Sequence, residues 1–177
     1  MIADDARGRL APTGIARLLA FCLLFFLSQA SYESLRGTWL SKTVIESLTV
    51  TPSAALAAAI APNIGIHAEG TRIVSPAERL NVLPGCEGAE AFLLLLSGVL
   101  CARRSLRITL VGLGLGGLVV FTANIARIVT LFFAALRDRA LFGLLHSYLA
   151  PLAMTGIALV FFALWLAWSK PDETAAA

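Results

Sequence analysis

Charged residues are scarce in this chain: they make up 14% of its 177 residues, whereas 58% are hydrophobic. A soluble domain carries roughly 25% charged residues, so this sequence has too few charges to cover a surface that faces water. The composition therefore excludes a soluble enzyme, a nucleic-acid-binding domain and a disordered tail. The formal net charge of +3 is too small to indicate a polyanionic partner.

Metal-binding patterns are missing too. The chain has two histidines and three cysteines, and no cluster of these residues with carboxylates has the spacing of metal ligands. We therefore expect no metal and no cofactor. The sequence also has no G-x-S-x-G motif, and no Ser-Lys pair at the face predicted below to be external. Both absences argue against a serine protease of the membrane.

The sequence contains several long apolar runs. A backbone in lipid must satisfy its hydrogen bonds internally, so these runs are predicted to be helices. We predict an all-α integral membrane protein, a single domain over residues 1–177, with about four transmembrane helices. These helices are predicted near residues 11–30, 86–102, 108–128 and 148–168. Segment 31–85 is richer in charge and proline, and we predict that it does not span. It is expected to form a small periplasmic lid, with a packing helix at 51–60 and β-type alternation at 63–74.

The first apolar run has two interpretations. Basic residues precede it and Ser28-Gln29-Ala30 follows it, which fits a cleaved signal peptide. We favour an uncleaved anchor, because the apolar character begins well before Leu18 and is long enough to span. Either interpretation puts the chain from residue 31 onward outside the cytoplasm.

Orientation follows from the arginines. Residues 103–107 read RRSLR, and dense basic charge in a tight turn is typical of the cytoplasmic side. Loop 127–147 also carries three arginines, so a simple count is a tie. We give the tight turn more weight, which places both termini inside and the loops 31–85 and 127–147 outside.

This topology brings three reactive side chains to one membrane depth: Cys86, Arg127 and His146. Ionisable groups are costly in lipid, so those present usually serve a site. The start of a helix and the charge of Arg127 are both expected to favour a Cys86 thiolate, whereas Glu87 opposes it. Asn124 lies on the same helix face as Arg127 and is expected to orient it or to bind substrate.

Each of these residues also has a simpler interpretation. A free cysteine is usually an inert small hydrophobe, which fits Cys22 and Cys101 well. Arg127 could extend to lipid headgroups. His146 could belong to an interfacial aromatic belt with Tyr148 and Trp165.

The ordered motifs nevertheless resemble those of the exosortase/archaeosortase family. They are Pro84-Gly85-Cys86-Glu87-Gly88, then Asn124-Ile125-Ala126-Arg127-Ile128, then a histidine opening the last span. The resemblance covers roughly residues 60–168, and the short length looks most like the compact exosortase H type. Glu87 departs from the Ser or Asn that is common after the cysteine in this family.

The resemblance implies a membrane cysteine transpeptidase in the bacterial inner membrane, with its active site on the periplasmic side. Cys86 would be the nucleophile, Arg127 would stabilise the oxyanion or the thiolate, and His146 would transfer protons. The implied partners, besides membrane lipids, are exported proteins with a C-terminal motif, a transmembrane helix and an Arg-rich tail. No nucleic acid is expected. A non-catalytic membrane scaffold or transporter subunit is the alternative function.

Overall fold

The computed structural model describes residues 12–169, so the predicted cytoplasmic basic residues before Pro12 and the polar tail after Ser169 lie outside the described residues. Seven α-helices and three short strands are present in this range. The helices are α1 (Pro12–Ser34), α2 (Trp39–Ile45), α3 (Thr51–Ile60), α4 (Ala89–Cys101), α5 (Leu106–Arg137), α6 (Arg139–Leu144) and α7 (Ala150–Trp168). The strands are β1 (His67–Glu69), β2 (Arg72–Val74) and β3 (Arg79–Asn81).

Four helices, α1, α4, α5 and α7, form a bundle around small residues of α5. A Cβ on Gly112 would collide with the Trp165 ring of α7, and one on Gly116 would collide with Leu95 of α4. Glycine lets helices approach closely, and such small-residue contacts replace the hydrophobic effect where the solvent is lipid. We call the end with the turn between α4 and α5 the turn end, and the opposite end the lid end.

Helix α5 is long enough to lie partly in the helix bundle and partly in the lid. Its 32 residues correspond to about 48 Å, more than the ~30 Å hydrocarbon core of a bilayer. The part up to about Asn124 packs against α4 and α7, and the part from Ile128 packs against the lid. By helical rise, Asn124 lies about 27 Å from Leu106, close to the outer edge of a bilayer entered at Leu106.

The lid, residues 35–88, has its own core. Helix α3 packs onto the end of α5, and the antiparallel sheet β1-β2-β3 packs onto α3. The buried residues of this lid core are Ile45, Val50, Ala54, Ala57, Ile66, Ile73, Val82, Ile128, Val129 and Phe132. The predicted packing helix at 51–60 and the short β segment within 63–74 are both present, and the strands at 67–69 and 72–74 pair directly.

The structure corrects the prediction that segment 31–85 is too short and too polar to span. Residues Trp39–Ile60 form one continuous helix that is long and apolar enough to cross a membrane by length and composition. Its packing nevertheless keeps it at the lid end. Four residues separate its start from the end of α1 there, and its last turns pack on α5 near Ile128 and Phe132.

The predicted span at 86–102 contains a short helix. Its helix begins at Ala89 and has 13 residues, about 20 Å, so it is shorter than a standard span. The four helical segments that pass the length and composition test are Gly14–Ser34, Trp39–Ile60, Leu106–Arg137 and Arg139–Trp168. The predicted number of four is therefore right within residues 12–169, but one member of the set differs.

Two π-helical turns interrupt these helices, at Glu46–Val50 and Leu145–Leu149. Each is followed by a proline two residues later, Pro52 and Pro151. Proline has no N–H and its ring presses on the carbonyl four residues earlier, which widens the turn. The N–H groups of Thr51 and Ala150 accordingly donate to carbonyls five residues back.

Candidate functional site

The candidate site lies at the lid end, where the loop 83–88 enters α4. Helix α1 ends beside this loop, and α5 passes it. Helices α5 and α7 run antiparallel, with Gly112 opposite Trp165 and Gly116 opposite Phe161. Because of this register, the segment before α7, which includes His146, lies at the lid end.

Two glycines give the loop its shape. Gly85 and Gly88 both have positive φ, 98° and 82°, which residues with a Cβ rarely adopt. Gly88 also has no room for a side chain, because a Cβ there would lie 2.9 Å from Cγ of Asn124. The backbone of the loop is therefore pressed directly against the Asn124 side chain. The Cys86 N–H closes the turn by donating to the carbonyl of Leu83 at 3.0 Å.

Cys86 is a half-buried free thiol that packs against the lid core. Burial raises the pKa of the Cys86 thiol above its ordinary value, while the positive charge of Arg127 lowers this pKa and the negative charge of Glu87 raises it. Burial is the largest of these effects, so the net shift of the thiol pKa is upward, while Arg127 and Glu87 each act in the predicted direction. The helix also begins three residues after Cys86, too far for its dipole to act fully.

Glu87 is the site residue whose contribution the sequence left open. Its side chain is buried, and its Oε2 accepts a hydrogen bond from the N–H of Gly85. Its charge also reaches the Tyr32 hydroxyl at the end of α1. Glu87 therefore holds the loop in its bent form, with its charge near the end of α1.

Asn124 and Arg127 lie on one face of α5, as predicted from their spacing. Asn124 is 2% exposed, and its Oδ1 has no hydrogen-bond partner. The Nε of Arg127 is likewise buried and unpaired. Buried polar groups are nearly always hydrogen-bonded, so two such atoms beside Cys86 indicate a place that a ligand or water completes.

His146 lies in the π turn, and its ring stacks on Phe142 with 5.3 Å between centroids. Its Nδ1 is buried and unpaired. Continuing the α5–α7 register places His146 opposite Leu131, about one helical turn, or ~6 Å, beyond Arg127. No hydrogen bond joins His146 to Cys86 among the described residues. Trp165 lies at the turn end beside Gly112, so the alternative of one aromatic belt containing both Trp165 and His146 is wrong.

The structure thus brings Cys86, Asn124 and Arg127 together and places His146 one turn away. Sequence reasoning missed Gln29 and Tyr32 of α1, whose Oε1 and hydroxyl are buried without partners at the same end. The signal was available: Gln29 and Tyr32 are three residues apart in the last turns of α1, just after its apolar run. Among residues 12–169, no group of three or more His, Cys, Asp or Glu side chains could hold a metal.

These features define a multi-pass membrane protein with unpaired polar groups gathered at one end of its helices. A sequence model of the transmembrane exosortases matches residues 8–163 of the chain. The chain therefore belongs to the transmembrane exosortase family, as its motifs suggested. Searches of curated proteins and of solved structures each gave no match.

Proposed function

We propose that this protein is a cysteine peptidase and transpeptidase of the exosortase type. It cleaves the C-terminal sorting signal of exported proteins and transfers them to an acceptor. The observation that carries this proposal is the pairing of Cys86 with Arg127, whose charge acts on the thiol while its Nε remains unpaired. An inert cysteine needs no such neighbour.

The first half of the reaction is acylation. Cys86 first gives its thiol proton to His146, which becomes the imidazolium. The thiolate then attacks the carbonyl carbon of the scissile peptide bond, and the oxyanion that forms lies beside the guanidinium of Arg127. The C–N bond then breaks, the amine leaves with a proton from the His146 imidazolium, and a thioester remains on Cys86. Asn124 holds the substrate backbone or Arg127 through its unpaired Oδ1.

The second half returns the enzyme to its starting state. Neutral His146 takes the proton of the acceptor nucleophile, which attacks the thioester carbonyl and displaces the Cys86 thiolate. His146 lies one turn beyond Arg127, so the bound substrate has to occupy the space between them.

We place this site on the periplasmic side of the bacterial inner membrane. The turn end carries Arg103, Arg104 and Arg107 within five residues, and such a turn is normally cytoplasmic. The lid end, with the site, then faces the periplasm. Thiol labelling of intact spheroplasts with a membrane-impermeant reagent tests this arrangement. Cys101 at the turn end should remain unlabelled until the membrane is permeabilised, and its labelling in intact spheroplasts would overturn the orientation.

The test of the chemistry uses cells that co-express an exported protein with a C-terminal motif, transmembrane helix and Arg-rich tail. Mass analysis of that protein should show a new C-terminus with the wild type and none with Cys86→Ala, because the nucleophile is needed at every turnover. Cys101→Ala is the matched control and should process normally. Full processing by Cys86→Ala, at normal protein level, would overturn the mechanism and favour the scaffold function.

His146→Ala should leave trace processing, reduced by about 10²–10⁴-fold as for a lost general acid–base. If acceptor activation becomes the slow step, intact mass should show an adduct of substrate on Cys86 that hydroxylamine removes. Undiminished processing by His146→Ala would remove this residue from the mechanism while leaving the Cys86 assignment in place.

A further inference from the structure

A large apolar cavity lies far from Cys86, at the turn end. It has a volume of about 890 Å³ and lies between α1, α4 and α7. Its walls are apolar and include Phe21, Leu94, Leu159 and Phe162. Helix α1 contacts α4 but not α7 closely, so the cavity opens sideways between them.

Three arginines line the same cavity: Arg17 from α1, and Arg103 and Arg104 from the turn between α4 and α5. No acidic side chain lines it among residues 12–169. Arg104 is partly engaged, since its Nε donates to the Ser169 hydroxyl at 3.0 Å. Arg17 and Arg103 form no ion pair within the described range, so their charges are unbalanced there.

A second cleft of about 350 Å³ shares Arg17, Cys101 and Arg103 with the first. Its other walls, Ala16, Ala20 and Leu100, are also apolar. The two arginines therefore lie where two apolar clefts meet. A ligand that fits this shape has an anionic head and two apolar chains.

We propose that the turn end binds an anionic phospholipid, with its phosphate on Arg17 and Arg103 and its acyl chains in the two clefts. Arginine matches phosphate geometry through its planar fork, and basic pockets between transmembrane helices are known to recognise anionic headgroups. The cavity volume is within the range of small-molecule sites. The lipid contacts α4 at its turn end, on the helix that carries the Cys86 loop at its other end.

The test uses purified full-length protein in dodecyl maltoside with phosphatidylglycerol, phosphatidylcholine or inorganic phosphate. Phosphatidylglycerol should raise Tm by at least about 2 °C, as expected for a ligand well above its Kd, and the other two additives should not. Arg17→Gln and Arg103→Gln should lose this shift. Arg107→Gln is the matched control, because Arg107 belongs to the same turn but does not line either cleft.

A second measurement does not depend on stability. Cys101 lines both clefts and Cys22 lines neither, so phosphatidylglycerol should slow alkylation of Cys101 by N-ethylmaleimide and leave Cys22 unchanged, as read by peptide mass analysis. The proposal is overturned if Arg107→Gln loses the Tm shift as fully as Arg103→Gln, or if inorganic phosphate reproduces it. It is also overturned if a tailed substrate protects Cys101 and the lipid does not.

Discussion

The lid core and the bundle core are built from different side chains. The lid core consists mostly of branched aliphatic residues and one phenylalanine, such as Ile73, Val82 and Phe132, each nearly or fully buried. The bundle instead packs aromatic rings of α7 onto glycines of α5. In water, burying apolar area is itself favourable. In lipid it is not, and close contact between small and large residues has to hold the helices together.

This difference predicts that phenylalanine truncation harms the lid far more than the bundle. Phe132→Ala should lower the free energy of unfolding by about 3–5 kcal/mol, the usual cost of emptying a core. Phe121→Ala on the same helix should cost little, because Phe121 is 39% exposed toward the predicted lipid face. Thermal unfolding of both variants in detergent measures the contrast, and equal losses would contradict it.

Replacing a closely packed glycine is expected to destabilise the bundle rather than the lid. Gly116→Val should destabilise the bundle by about 1–3 kcal/mol through overpacking, because its Cβ would meet Leu95 and Phe161. Gly114→Val is the control, since nothing lies within 4 Å of a Cβ at that position. If the two valine variants unfold at the same temperature, glycine does not set the helix spacing here.

The boundary between the two regions can be probed through the pH dependence of Cys86 alkylation. Arg127 lowers the thiol pKa, so Arg127→Gln should move the midpoint of alkylation rate against pH upward and slow the reaction near neutral pH. Glu87 raises the same pKa, so Glu87→Gln should move the midpoint downward. Both shifts follow from the charges that act on Cys86. If neither midpoint moves, the charges of Arg127 and Glu87 do not act on the Cys86 thiol.

The smallest effect is expected where the lid is joined to the start of α6. Arg139 pairs with Glu78 at 2.9 Å, but the Arg139 side chain is 73% exposed. The Glu78 side chain is only 9% exposed, but solvent screens its partner, so the pair is worth about 1 kcal/mol and Glu78→Gln should lower Tm only slightly. Limited proteolysis should still cut the lid faster in this variant and leave the bundle fragments unchanged. Faster cutting within α5 and α7 would mean that the pair supports the whole molecule.

The sequence was sufficient to predict that this is a membrane protein, that a lid lies between the first two apolar runs, and in what order the site motifs occur. Apolar runs and the spacing of Asn124 and Arg127 are local features that need no tertiary information. It was insufficient for Trp39–Ile60 and Ala89–Cys101, because helix length here depends on where prolines and glycines are tolerated. Pro52 sits inside a continuous helix by way of a π turn, whereas Gly85 and Gly88 delay the start of α4.

The state of Cys86 could not be predicted either. The sequence shows Arg127 as a source of positive charge, but the extent of burial around the thiol depends on how the lid closes over α5. The same is true of Glu87, whose bond to the Gly85 N–H exists only in the bent loop. The catalytic roles of Cys86, Arg127 and His146 stay a prediction until the variants are measured.

The π turn before α7 has a consequence for insertions and deletions in this chain. In an α-helix, adding or removing one residue rotates all later side chains by about 100°. The turn Leu145–Leu149 holds one residue more than an α-helical turn of the same height, so deleting Ser147 together with Pro151→Ala should restore an ordinary turn and keep α7 in phase. Trp165 would still meet Gly112, while His146 would swing away from the site. The extra residue in this turn therefore sets the direction of His146 rather than the packing of α7 on α5.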